Sequence, residues 1–232
     1  MFTEAESARP MSLNPRPALT KSAYVYEELR RRVLTGELIQ GQTLSQEQLA
    51  SELGVSTTPM REALRRLAAE GLVTIDAHKD ARVTSLNAEE ARSLFEIREQ
   101  LDPLAAKLAA KRRTDVDREA ISAALESVEP LGGSGDLDSL LNHRAFHRSI
   151  YNASYNAPLV NLLEGLWDKT DRYRRLSLET HPDSPADRER VRREHTTIAE
   201  AVIAGDARTA EKTMRKHVQG SRGRHVIDTF ES

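Results

Sequence analysis

The chain has no cysteine among its 232 residues. Disulfides and thiolate metal sites are therefore excluded, and nothing signals an oxidising compartment. No apolar run approaches the roughly 20 residues of a membrane span, and the polar N-terminus has no apolar region of a secretory signal. A cytoplasmic protein with no membrane partner is expected. Charge of a dominant sign is missing too: 34 Lys and Arg stand against 36 Asp and Glu, a formal net charge of -2. Residues 1–84 carry eleven of each sign, leaving 23 and 25 for the remainder. Any nucleic-acid footprint must come from local clustering rather than from bulk charge. HExxH, a phosphate loop and a nucleophile elbow are all absent, so an enzyme is not expected.

Against these absences, residues 44–72 (LSQEQLASELGVSTTPMREALRRLAAEGL) are rich in signal. Leu44, Leu49 and Leu53 form one apolar face behind Ser45, a residue suited to start a helix. Gly54 stands where that helix must stop, since glycine takes the left-handed conformation without a Cβ clash. Ser56-Thr57-Thr58-Pro59 then offers an N-cap hydroxyl and a proline early in a second helix. That helix, from Thr58 to Glu70, buries Met60, Leu64 and Leu67 and leaves Arg61, Arg65 and Arg66 nearer the surface. Two short helices about a glycine turn, the second with a hydroxyl-rich, arginine-bearing start, read as a helix-turn-helix. The cationic clusters fall in the same module: Arg30-Arg31-Arg32, the three arginines of the second helix, and Lys79 with Arg82. Ser56, Thr57, Thr58, Arg61 and Arg65 are the candidate base and phosphate contacts, joined by Arg31.

In chain order, residues 1–20 hold three prolines and little periodicity, a flexible arm. A helix over 22–35 ends at Gly36. After the helix pair, 72–75 and 81–84 are β-prone about a polar tip containing His78 and Lys79, a wing expected to touch DNA. The first module thus covers 21–84. Residues 85–88 form a linker and Ala88 opens a long helix, in which Leu94, Ile97, Leu101, Leu104 and Leu108 make an apolar seam and Pro103 a small kink. Further helices are expected over 115–130, 136–154, 158–179, 185–204 and 206–222, so 89–222 forms an all-α bundle of six helices and 223–232 a tail. No strand is expected beyond residue 85. The fold class is mostly α, a winged helix-turn-helix followed by a six-helix bundle.

The histidines have informative phases. His143 and His147 are four apart and share a helix face. His195 lies in the stripe Val191, His195, Ile198, Val202, and His217 lies in line with Ala210 and Met214. Three helices each aim histidine inward, as neutral imidazoles drawn from facing bundle helices would around a divalent transition metal such as Zn, with Ni, Fe, Cu or Mn also possible. Buried histidines each hydrogen-bonded to a neighbour are the competing reading. Glu194 adjoins His195 and is expected on a different helix face. His181 and His225 fall in a loop and the tail, where no role is expected.

The stretch LSQEQLASELGVSTTPMREALRRLAAEGLV resembles the GntR family of bacterial transcriptional regulators. The bundle resembles the FCD effector domain of the FadR subfamily in its VanR-type branch, through IREQLDPLAAKLAA, HRAFHRSIYNAS and EHTTIAEAVIAGDARTAEKTMRKHV. Thr57 stands where members often have arginine, and His143 where an Asp or Asn is usual. The resemblance implies a symmetric homodimer on a palindromic double-stranded DNA operator, regulated by a small organic acid. It implies metal ligation by His147, His195 and His217, with His143 as a possible fourth, and effector binding near Arg98, whose alternative is a surface ion pair with Glu99 or Asp102. A repressor released by the acid is the leading expectation. A sensor for the ion itself, or a histidine-site metallohydrolase, are the alternatives.

Overall fold

The computed structural model describes residues 20–75, 80–128 and 137–222, together with 227 and 230. Helix α1 (Lys21–Thr35) opens on Thr20, whose hydroxyl accepts from the Ala23 amide, and closes at Gly36 in the left-handed region at φ 77°. Helix α2 (Gln46–Glu52) is capped by Ser45, and Gly54 at φ 64° turns the chain toward α3 (Thr57–Ala69). Helix α3 begins one residue earlier than the sequence suggests. Ser56 occupies the N-cap position, yet its side chain makes no capping hydrogen bond, in contrast to the expected hydroxyl cap.

Val25, Leu29 and Val33 of α1 pack against Met60, Leu64 and Leu67 of α3 over Leu72, Val73 and Val83. Strands β2 (Val73–Ile75) and β3 (Ala81–Val83) pair antiparallel, Thr74 opposite Arg82. They are one residue shorter than expected. A further strand, β1 (Thr43–Leu44), joins the far edge of β3 to give the order β1-β3-β2. Two residues are too few to carry a period-2 signal, so the sequence hid it. The wing tip at 76–79, with His78 and Lys79, lies outside the described residues, as do the arm at 1–19 and most of the tail.

Six helices follow among the described residues: α4 (Ala88–Arg112), α5 (Asp115–Ser127), α6 (Leu137–Asn152), α7 (Ala157–Thr180), α8 (Pro185–Ala204) and α9 (Ala207–Arg222). Their starts are set by side-chain caps: Asn87 on α4, and reciprocal capping boxes of Thr114 with Asp117 and Ser184 with Asp187. Helix α4 departs from the expected seam. Ile97 and Leu104 are 45% and 40% exposed, while Ala91, Ala105, Ala106, Ala109 and Ala110 are buried. The alanine face admits α9, with which α4 packs most extensively. Small side chains let two helices approach closely, and the longer leucines are left to a neighbouring face.

The two modules meet through α7 as well as through the chain. Arg30 of α1 holds Asp168 bidentately at 2.5 and 2.6 Å. Arg175 donates to the Thr35 carbonyl and Arg172 to that of Thr84, while the Asn87 amide donates to Tyr173 Oη.

Candidate metal centre and DNA-facing helix

Helices α6, α8 and α9 bring His143, His147, His195 and His217 together in the bundle. One nitrogen from each can be chosen so that all four lie within 4.8 Å of one another. All four rings are buried. His147 and His217 stack at 5.3 Å between centroids, and His143 lies 4.6 Å from His147 and 5.1 Å from His195. The fourth histidine therefore joins the three that the resemblance implied.

Burial pushes the imidazoles of His143 and His147 well below their usual pKa, and the Arg174 charge beside His143 adds to the effect. Burial likewise lowers His217, and the Glu194 carboxylate opposes it. Neutral imidazole is the ligating form. Among the described residues neither ring nitrogen of His147 has a hydrogen-bond partner. A buried imidazole without one is a costly arrangement for a structural histidine and a suitable one for a ligand. The donor set fits a divalent transition ion.

Glu194 turns away from His195 and reaches a different histidine of the cluster, a contact its helical phase does not reveal. Its Oε2 lies 2.9 Å from His217 Nδ1, across the α8–α9 contact. A residue one position from His195 leaves the inward face of its own helix, but the neighbouring helix leans its histidine toward it. Burial would raise the Glu194 carboxyl, and the His217 and Arg190 contacts outweigh that and hold it low. A carboxylate can only accept, so the bond places the proton on Nδ1 and leaves Nε2 with its lone pair, the usual arrangement behind a metal-bound histidine.

Arg98 is buried, not a surface residue, and its Nη2 donates to Asp102 Oδ2 at 2.6 Å while its guanidinium lies 4.5 Å from the Trp167 ring centroid. The acid partner is one the sequence named, in a burial it did not foresee. Arg174 is a residue the sequence reading missed. Its Nη1 lies 2.8 Å from His143 Nε2 and 3.2 Å from Nδ1. It also lines a cavity of about 400 Å³ with Phe95, Thr170, Ser177, Leu178 and His181. Trp167, Thr170, Arg174 and Ser177 recur at helical spacing, the signal that could have found this face. His181, given no role from sequence, belongs to the same wall. His225 lies outside the described residues.

On the other module, Ser56, Thr57, Thr58, Arg61 and Arg65 are all exposed at the start and outer face of α3. Arg66 lies over the Tyr26 ring at 3.5 Å and pairs with Glu70. The Arg30-Arg31-Arg32 cluster is not a bare cationic patch. Arg31 pairs with Glu28 and Glu37, and Arg32 with Glu28 and Glu52. Arg31 must exchange carboxylates for phosphate to touch DNA, so it is a weaker candidate than Arg61 or Arg65.

Residues 21–83 match the family described as bacterial regulatory proteins, gntR family, and residues 93–220 match the FCD domain. An HTH-type transcriptional regulator of Streptomyces ambofaciens is 32% identical over 214 residues, covering 89% of this chain and 84% of its own. The HTH-type transcriptional repressor GlaR of Escherichia coli (strain K12) is 28% identical over 198 residues, covering 83% and 90%. The solved structure of E. coli McbR/YncC superposes with a TM-score of 0.77 at 22% identity, over 93% of this chain and all of the other, a likeness of fold. Among the described residues no helix is long and apolar enough to cross a membrane.

Proposed function

This chain belongs to the GntR family of bacterial regulatory proteins as a DNA-binding transcriptional regulator with an FCD domain, and on that premise we propose that it is a cytoplasmic repressor released from a palindromic operator by a small organic acid at a metal-containing site. The carrying observation is the cluster of four buried histidines from three helices. Zn suits four neutral nitrogen donors, and Ni, Fe or Mn fit the same set less closely. His147, His195, His217 and His143 would hold the ion, with Glu194 orienting His217. A bound divalent ion supplies a Lewis-acidic position that can take a carboxylate oxygen.

An anion finds its cationic partners at the inner wall. Arg98 and Arg174 add positive charge beside four neutral imidazoles, Asp102 already serves Arg98, and the carboxylates of Asp183 and Asp187 stand on the same cavity lining as Arg174. A carboxylate entering from the cavity meets Arg174 first, which moves the effector-gripping role from Arg98 to Arg174. On DNA, the start of α3 would enter the major groove, with Arg61 and Arg65 as its cationic contacts and the wing with His78 and Lys79 alongside. The repressor assignment is supported by the relative that carries that name.

The test is elemental analysis of purified protein with an operator titration in the presence and absence of carboxylates. His195→Ala should lose the metal and the acid response and keep operator affinity, because α3 is remote from the bundle. A His195→Ala protein with full metal content and an unchanged response would remove the site from this account. A response to Zn²⁺ alone, without any acid, would make the ion itself the signal.

A further inference from the structure

We propose that Arg174 is an exchangeable clamp: it holds His143 in the metal-free protein, and metal loading expels it into the adjoining cavity, where it receives the carboxylate of the effector. This rests on the four-histidine centre proposed above and states how metal and acid binding are coupled.

The argument starts from donor and acceptor counting. A guanidinium has donors and no acceptor, so the imidazole nitrogen that meets it must present its lone pair. Arg174 Nη1 is within hydrogen-bond distance of both ring nitrogens of His143. Whichever nitrogen His143 offers to an ion is therefore one that the guanidinium already engages. A lone pair serves a metal or a hydrogen bond, not both, and His143 cannot join the coordination sphere while the contact stands. Charge acts in the same direction. An ion at ordinary Zn–N distance from His143, about 2.0–2.1 Å, brings two positive charges within a few ångströms of a permanently charged guanidinium, inside a bundle that screens poorly.

The same residue has somewhere to go. Arg174 lines the cavity of about 400 Å³, which Phe95 and Leu178 wall with apolar surface, Thr170 and Ser177 with hydroxyls, and Asp183 and Asp187 with carboxylates that an incoming acid must pass with its charge turned to Arg174. A guanidinium turned into that space meets a carboxylate through two parallel N–H···O bonds, while the other end of the acid can reach toward the ion. Metal and acid then bind with positive coupling: the ion releases the clamp, and the clamp captures the acid. By reciprocity the acid must raise metal affinity by the same factor.

Trp167, the chain's one tryptophan, reports on the site, since its ring lies 5.6 Å from His143 and 5.2 Å from His147 between centroids. Chelator-treated protein is titrated with Zn²⁺ against a competing chelator, followed by Trp167 fluorescence, and then with succinate at zero and saturating Zn²⁺. Arg174→Met removes the charge and keeps the stem. It should bind Zn²⁺ about tenfold more tightly than the parent, and its weak succinate affinity should not depend on Zn²⁺. The parent's succinate affinity should rise about tenfold with Zn²⁺. His143→Ala controls for folding: without the shared imidazole, adding Arg174→Met should tighten Zn²⁺ much less than it does in the parent. Equal Zn²⁺ affinity in parent and Arg174→Met overturns the clamp and leaves the metal centre standing, with three histidines holding the ion. A parent that binds no Zn²⁺, Ni²⁺ or Mn²⁺ overturns the metal centre and the clamp together.

Discussion

Single residues make this bundle sensitive to acid. His143, His147 and His217 all have pKa values lowered by burial in the folded state. An unfolded chain takes up protons on these imidazoles from about pH 6.5 downward, while the folded chain refuses them. Their contribution is thus fully present above that pH and lost as pH falls below it, at up to about 1.4 kcal/mol per pH unit for each proton. Thermal unfolding of metal-free protein should show a nearly constant Tm between pH 8 and 7 and a steep fall between pH 6.5 and 5. A Tm that stays level through that range would mean the histidines are protonated or solvated in the fold. At the other site, Arg61 is exposed on the first turns of α3, placed to grip guanine or phosphate. Arg61→Ala should weaken operator binding by about 1–3 kcal/mol at fixed salt. Unchanged affinity at equal salt removes Arg61 from the interface.

At the scale of elements, α7 is the piece that touches both modules. One route between them runs along α4 and the short linker back to β3. The structure adds a more direct one. Arg144, next to His143 on α6, reaches both Asp168 and Asp171 of α7 at 2.6 and 2.5 Å, and Asp168 in turn binds Arg30 of α1. One turn further on, Arg172 and Arg175 bond backbone carbonyls of the DNA-binding module. A shift of α6 or α7 at the histidine centre therefore moves charged groups that hold α1. Such a network couples two sites when ligand favours one of its arrangements. Asp168→Asn keeps the shape and weakens both ion pairs. It should retain metal and operator binding while the ratio of operator affinities with and without ligand contracts several-fold toward one. An unchanged ratio would return the coupling to α4.

For the whole molecule, the proposed homodimer calls for a surface on the bundle, and exposed apolar residues are available there. Ile97 and Leu104 lie two turns apart on one face of α4, and Leu162 on α7 is 61% exposed. Scattered apolar side chains are common on surfaces, but two on one helix face suit a symmetric contact in the proposed dimer. A pair of helix-turn-helix modules reads two half-sites about one helical turn apart, which one module cannot do. Light scattering at micromolar concentration should give a dimer. The double substitution Ile97→Glu with Leu104→Glu should yield a monomer whose operator affinity falls at least about tenfold. A parent that is monomeric with and without DNA would leave the palindrome unexplained.

Local chemistry determined much of this protein before any tertiary contact formed. Gly36, Gly54 and Gly205 end or turn helices because each occupies a left-handed conformation, and Thr20, Ser45, Asn87, Thr114 and Ser184 start them through bonds to amides three residues on. Helical phase alone put His143 and His147 on one face and set His195 and His217 in line with apolar residues. What phase cannot give is which stripe meets which helix. Ile97 and Leu104 continue a regular seam, yet the alanines of α4 face α9, because close helix approach rewards small side chains more than a long leucine row. Phase likewise turns Glu194 away from His195, the histidine of its own helix, and cannot tell that His217 of the next helix meets it. Arg98 and Asp102, four apart on α4, meet by helix geometry and owe only their burial to the packing, whereas Arg174 on α7 meets His143 on α6 only because those two helices settle close enough. Distances within a few residues are set by backbone geometry and are legible from order alone; distances between helices are set by the packing of the whole bundle, and only the tertiary structure decided them.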